Sequence, residues 1–191
     1  MRTSTGVGDT LRESAIVNFA GAVTMVIDNS PFAMELTIQA LMGFGMKVRH
    51  TCTSAADAIT ILNDCPVDLI LVDSNLPGMS GFEFVRWLRR SGLEPNAFAP
   101  VLLTAAHVRR SQVTEARDCG ANFLITKPFS SATLLERMVW VARDNRPFLE
   151  VGDYFGPDRR FRTEPWYGKE RRADEIRKAE FEAEKKASIT L

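Results

Sequence analysis

Between Val23 and Arg143, apolar runs and segments of helical spacing alternate five times, and that alternation narrows the fold more than any other property of the chain. The runs Val23–Ile27, Val67–Val72, Pro100–Leu103 and Ala121–Ile125 are short and mainly apolar, and Met46–Cys52 reads as a further short strand; the first is crowded and partly β-branched, as in a strand buried on both faces. The segments Phe32–Phe44, Ser54–Asn63, Gly81–Arg90, Val108–Cys119 and Ser130–Arg143 read as helices. Pro31 suits a first helical turn, Gly43 and Gly45 close the first helix, and Ser54 is an N-cap for the second. Parallel strands need a crossover, and the favoured one is a right-handed helix. The expected fold is therefore a doubly wound α/β domain, a parallel five-stranded sheet with helices on both faces.

A chain of 191 residues suits one such domain with an appendage. Its 24 basic and 24 acidic side chains cancel, so a global field for nucleic acid or anionic membrane is not expected and partners must be sought locally. Cys52, Cys65 and Cys119 lie far apart and lack the spacing of a zinc site or a disulfide framework; they read as small core residues in a reducing cytoplasm. The apolar stretch from Ala15 to Ile27 is broken by Asn18 and Thr24, which argues against both a secretory signal and a membrane span, so a soluble, cytoplasmic protein is expected.

In doubly wound sheets ligands bind at the carboxyl ends of the strands. Asp73 stands at such an end, directly after Leu69–Val72 and before the chain-turning residues Pro77, Gly78 and Gly81. Asp28 and Asn29 occupy the end of the first strand, Thr104 that of the fourth and Lys127 that of the fifth. Two acids brought together repel, and keeping both ionised requires a cation: Lys127, or a hard divalent metal. Magnesium suits, since it is commonly held by one or two carboxylates plus a phosphate. Asp73 is then a candidate nucleophile toward phosphorus, with Lys127 and Thr104 as charge and donor for the phosphoryl oxygens. Neither His50 nor His107 belongs to a nucleophile-and-base arrangement, so the chain is not expected to be an independent enzyme.

VID at Val26–Asp28, LILVDSNLPGMSGFE at Leu69–Glu83, VLLTA at Val101–Ala105 and TKPF at Thr126–Phe129 occur in an order and spacing that resembles the receiver domain of bacterial two-component response regulators. The resemblance spans about Ala22 to Arg143. It implies a flavodoxin-like sheet of strand order 2-1-3-4-5, a phosphoacceptor at Asp73, and a histidine kinase or histidine phosphotransfer protein as the donor. It further implies that Asp28 helps hold magnesium, that the backbone carbonyl of Asn75 ligates it, and that Thr104 and Lys127 contact the phosphoryl group. Output through an unknown downstream protein is expected, and a homodimer is left open.

Three positions depart from the family pattern. Asn29 stands where a second acid is usual, offering a carbonyl oxygen but no charge, so weaker metal binding is expected. Leu124 stands three residues before Lys127, where the family commonly carries an aromatic switch; Phe123 is displaced by one position and should face the other side of its strand. Ser80 replaces a frequent acid in the turn after Asp73.

Boundaries are expected at 1–21 for an N-terminal segment, 22–144 for the receiver domain, 145–168 for a linker rich in aromatics and arginine, and 169–191 for a charged tail. The linker is too apolar to stay in water and should fold back or dock on a partner. No helix-turn-helix pattern follows, so no DNA-binding domain is expected. Arg159, Arg160, Arg162, Arg171 and Arg172 form a candidate anion site, since arginine forks grip phosphates and stack on flat rings. The alternative function is thus a weakly phosphorylated receiver-like module whose arginines bind a nucleotide such as cyclic di-GMP, or RNA. Lys169–Lys186 reads as a helix with opposite charges at i,i+4.

Overall fold

The computed structural model describes residues 17–159. Five strands, β1 (Val23–Ile27), β2 (Lys47–Cys52), β3 (Leu69–Asp73), β4 (Val101–Ala105) and β5 (Phe123–Thr126), form one parallel sheet in the order β2-β1-β3-β4-β5. Helices α1 (Pro31–Gly43), α2 (Ala55–Asp64), α3 (Gly81–Arg90), α4 (Arg110–Asp118) and α5 (Ser131–Ala142) supply the crossovers. The doubly wound fold expected from the alternation is the one observed.

Strand periodicity divides the core in two. Ile70, Val72, Val101 and Leu103 point into a layer with Ala58 and Leu62 of α2, Phe84, Val85 and Leu88 of α3 and Ala116 of α4. Their neighbours Leu69, Leu71 and Leu102 point the other way, onto Leu41 of α1 and Leu134, Met138 and Val141 of α5. Four helices begin at a serine whose hydroxyl accepts a backbone N–H three residues on: Ser30 from Ala33, Ser54 from Asp57, Ser80 from Glu83 and Ser130 from Thr133. Glu83 reaches back to the Ser80 N–H, completing a capping box, so Ser80 has a structural task in its turn.

Element ends differ from the sequence reading where main-chain pairing outlasts the apolar run. β4 continues past Leu103 because Thr104 and Ala105 still pair with Ile125 and Thr126 of β5. β5 itself starts at Phe123, and α4 at Arg110 rather than Val108. Asp73 closes β3 inside the sheet rather than following it.

After α5, β6 (Phe148–Val151) and β7 (Tyr154–Pro157) form an antiparallel hairpin turned by Gly152 and Asp153. Arg146 closes its base: it pairs with Asp144 at 2.7 Å and donates to the Asp158 carbonyl at 2.9 Å. Phe148 and Phe155 pack on Phe98 in the 3-10 turn before β4, at ring separations of 5.1 and 5.5 Å. Gly156 and Gly120 let the backbones meet, since a Cβ on Gly156 would lie 2.8 Å from the Gly120 Cα. Residues 145–159 thus lie folded back against the sheet domain. The helix read over Lys169–Lys186 and the segment 1–16 lie outside the described residues. Among the described residues no helix is long and apolar enough to cross a membrane.

Candidate functional site

At the carboxyl edge of the sheet, Asp28 follows β1, its N–H still donating to the Cys52 carbonyl at 3.0 Å, and Asp73 lies in register with Thr104. Lys127, just past β5, stays in the ladder by donating its N–H to the Ala105 carbonyl at 2.7 Å. Main-chain pairing therefore delivers all four side chains to one place. Asp28, Asp73 and Thr104 are nearly sealed from solvent, at 3, 7 and 4% exposure.

The Lys127 ammonium bridges the acids, donating to Asp28 Oδ2 at 2.6 Å and to Asp73 Oδ2. The second oxygen of each carboxylate accepts a local backbone N–H: Asp28 Oδ1 from Ser30 at 2.9 Å, Asp73 Oδ1 from Asn75 at 2.7 Å. Those bonds aim both carboxylates from two directions. The Thr104 hydroxyl stands 3.5 Å from Asp73 Oδ2 and 3.5 Å from the Val72 carbonyl, near the acid without gripping it. Burial alone would lower the Lys127 ammonium, but hydrogen bonds and Coulomb attraction from Asp28 and Asp73 outweigh it and raise the group above its ordinary value. Gly81 opens α3 so close to β3 that a Cβ there would overlap the Asp73 carbonyl. The start of α3 therefore packs directly on the backbone of Asp73.

Two carboxylates and one ammonium leave a residual charge of about −1 around oxygen donors alone. Such a donor set fits a hard divalent cation that keeps most of its waters, as magnesium does, and does not fit a metal that wants imidazole or thiolate. Among the described residues no group of three or more His, Cys, Asp or Glu side chains gathers, in keeping with an amide at position 29. Asn29 and Asn75 are both exposed and flank the two acids in sequence.

The displaced aromatic behaves as strand alternation predicts. Leu124 packs into the layer of α2, α3 and α4, whereas Phe123 packs on the α1 and α5 side. There it meets Trp140 at 5.5 Å and lies under Arg137 at 4.6 Å. No aromatic ring occupies the position three residues before Lys127.

Of the five arginines expected to hold an anion, Arg159 is described: it pairs with Asp118 at 3.0 Å and lies 3.7 Å over the Tyr154 ring. Arg160, Arg162, Arg171 and Arg172 lie outside the described residues. Sequence reasoning missed Arg86 and Arg90 of α3, which face the same hairpin. Their signal was available, since arginines four apart on a helix share a face.

The family model for the response regulator receiver domain matches residues 24–139, more than half of the chain. The chemotaxis protein CheY-3 of Vibrio cholerae is 28% identical over 114 residues, covering 60% of this chain and 86% of that protein. Among solved structures, the chemotaxis response regulator CheY4 of Vibrio cholerae superposes with a TM-score of 0.57 at 28% identity, over 63% of this chain and 98% of its own. A CheY of Borrelia burgdorferi, solved in complex with CheX, BeF3 and magnesium, shares the fold with a TM-score of 0.58 at 22% identity, over 64% of this chain and 90% of that one. The chain belongs to the response regulator receiver domain family.

Proposed function

We propose that this chain is a phosphoacceptor response regulator: Asp73 takes a phosphoryl group from a histidine kinase or histidine phosphotransfer protein, and the phosphorylated chain signals through contacts with a downstream protein. The observation that carries this reading is the single ammonium of Lys127 held between the buried carboxylates of Asp28 and Asp73. In the transfer, an Asp73 carboxylate oxygen attacks phosphorus and the bond from phosphorus to the donor histidine nitrogen breaks. Its electron pair stays on the imidazole, and the product is an acyl phosphate. Lys127 neutralises the gathering phosphoryl charge, and the Thr104 hydroxyl, already within 3.5 Å of Asp73, donates to a phosphoryl oxygen.

Asp28, Asp73 and the Asn75 carbonyl would hold magnesium, with Asn29 offering an amide oxygen. When bound, magnesium would supply the further positive charge that lets a dianionic phosphoryl group approach two acids. Phosphorylated protein should lose its phosphate on treatment with hydroxylamine, which cleaves acyl phosphates; phosphate that survives the treatment would place it on another residue type and overturn the reading.

Asn29→Asp should tighten magnesium binding about tenfold, because affinity for hard cations follows ligand charge. Calorimetric titration of magnesium into both proteins, without any phosphodonor, reads this directly. Unchanged affinity would remove Asn29 from the metal's surroundings.

A further inference from the structure

At the end of α3 remote from Asp73, the hairpin and two helices border an open groove of about 510 Å³. We infer that it binds a nucleotide, with Arg86 and Arg90 taking the phosphates and the guanidinium of Arg159 receiving the base. This goes beyond phosphorylation at Asp73 and does not depend on it.

Arg86 and Arg90 lie one turn apart on α3, so their guanidinium groups point into the groove from the same helix face. Arg159 enters from the end of the hairpin, lying over the Tyr154 ring at 3.7 Å. Its Nη1 bonds Asp118 at 3.0 Å, while its buried Nε has no oxygen acceptor. A flat guanidinium backed by an aromatic ring is a stacking platform for a base.

The groove's acids hold these arginines loosely. Arg86 meets Glu115 at 3.4 Å and Arg90 meets the Asp153 carboxylate at 3.4 Å, and all but Glu115 and Arg86 in these pairs are more than half exposed. Exposed pairs of that length contribute little, and each guanidinium carries five N–H donors, so donors remain for a phosphate. At the lining three arginines stand against Asp118 and Asp153, while Glu115, outside the lining, pairs with Arg86. A groove of about 510 Å³ suits a compact ligand rather than an extended polyanion. The groove is also preformed: Arg90 bonds the Asp153 carbonyl, and Gly120 admits the Phe155 carbonyl where any Cβ would meet it at 2.6 Å.

Calorimetric titration of the full chain with ATP, GTP and cyclic di-GMP in turn tests the inference, with inorganic pyrophosphate as a probe lacking a base and an RNA oligomer as the extended polyanion. At least one nucleotide should bind, more tightly than pyrophosphate. The double variant Arg86→Ala/Arg90→Ala should weaken it about tenfold or more. Asp153→Ala, which removes a competing carboxylate, should tighten it by about threefold. Arginines serving only the fold would leave that last variant without effect. Failure of every nucleotide to bind, equal affinity for pyrophosphate, binding of RNA alone, or binding indifferent to the double variant would each overturn it.

Discussion

Lys127→Met should lower the rate of phosphoryl uptake by about 100-fold or more while leaving the sheet intact, the loss typical when one preorganised donor to a charged transition state is removed. Lys127 is the only residue that touches both acids with a positive charge among the described residues, and methionine keeps the length of its stem without the ammonium. Asp28 and Asp73 would then repel each other and repel the incoming phosphate. The same pair gives a pH signature. The ammonium holds its proton more tightly when folded than when unfolded, so its contribution to stability is complete below the ordinary lysine value of 10.5. That contribution is lost as pH rises through the higher folded value. Urea unfolding of wild type and Lys127→Met at a series of alkaline pH values should therefore show the stability gap narrowing above 10.5. A gap that widens there, or uptake within a few-fold of wild type, would contradict the assignment.

Arg89→Ala should cost about 4 kcal/mol of stability, because it opens a cavity and strands several buried acceptors at once. Arg89 is 2% exposed. Its Nη1 donates to the Ala97 and Ala99 carbonyls at 2.7 and 2.8 Å, its Nε to the Gly120 carbonyl at 3.0 Å and its Nη2 to Asn122 Oδ1 at 3.2 Å. The guanidinium also lies 5.1 Å over the Phe148 ring. One side chain thus ties the end of α3, the 3-10 turn, the start of β5 and the hairpin together. Burial pulls the guanidinium down to about 10, which leaves it charged at neutral pH. Arg90→Ala, a turn-mate with an exposed side chain, should cost under about 1 kcal/mol in the same urea titration. Equal losses for the two would mean that the carbonyl network contributes nothing.

The contrast between Arg89 and Arg90 also marks where the sequence stopped being readable. WLRR carries two arginines in a row, and a helical pattern places them about 100° apart, but which one turns inward depends on carbonyls from the 3-10 turn and the β5 approach. Those are distant in sequence. The alternation of elements, by contrast, was legible because apolar periodicity is local, and so was the opposition of Phe123 to Leu124. The convergence of Asp28, Asp73, Thr104 and Lys127 followed from the strand-end rule together with the family motifs, although Lys127 is 99 residues from Asp28. The hairpin carries a local signal, Gly152 and Asp153 forming a two-residue turn between Phe148–Val151 and Tyr154–Pro157. Its docking was less readable, since it rests on Gly120 and Gly156 meeting across more than thirty residues of chain.

The assignment of Asp73 as phosphoacceptor is tested most directly by intact mass after incubation with acetyl phosphate and magnesium, on wild type and Asp73→Asn side by side. The account predicts a gain of one phosphoryl group in wild type and none in the variant, with both proteins folded. A variant that gains the group as wild type does, or a wild type that gains none at saturating magnesium, would contradict it.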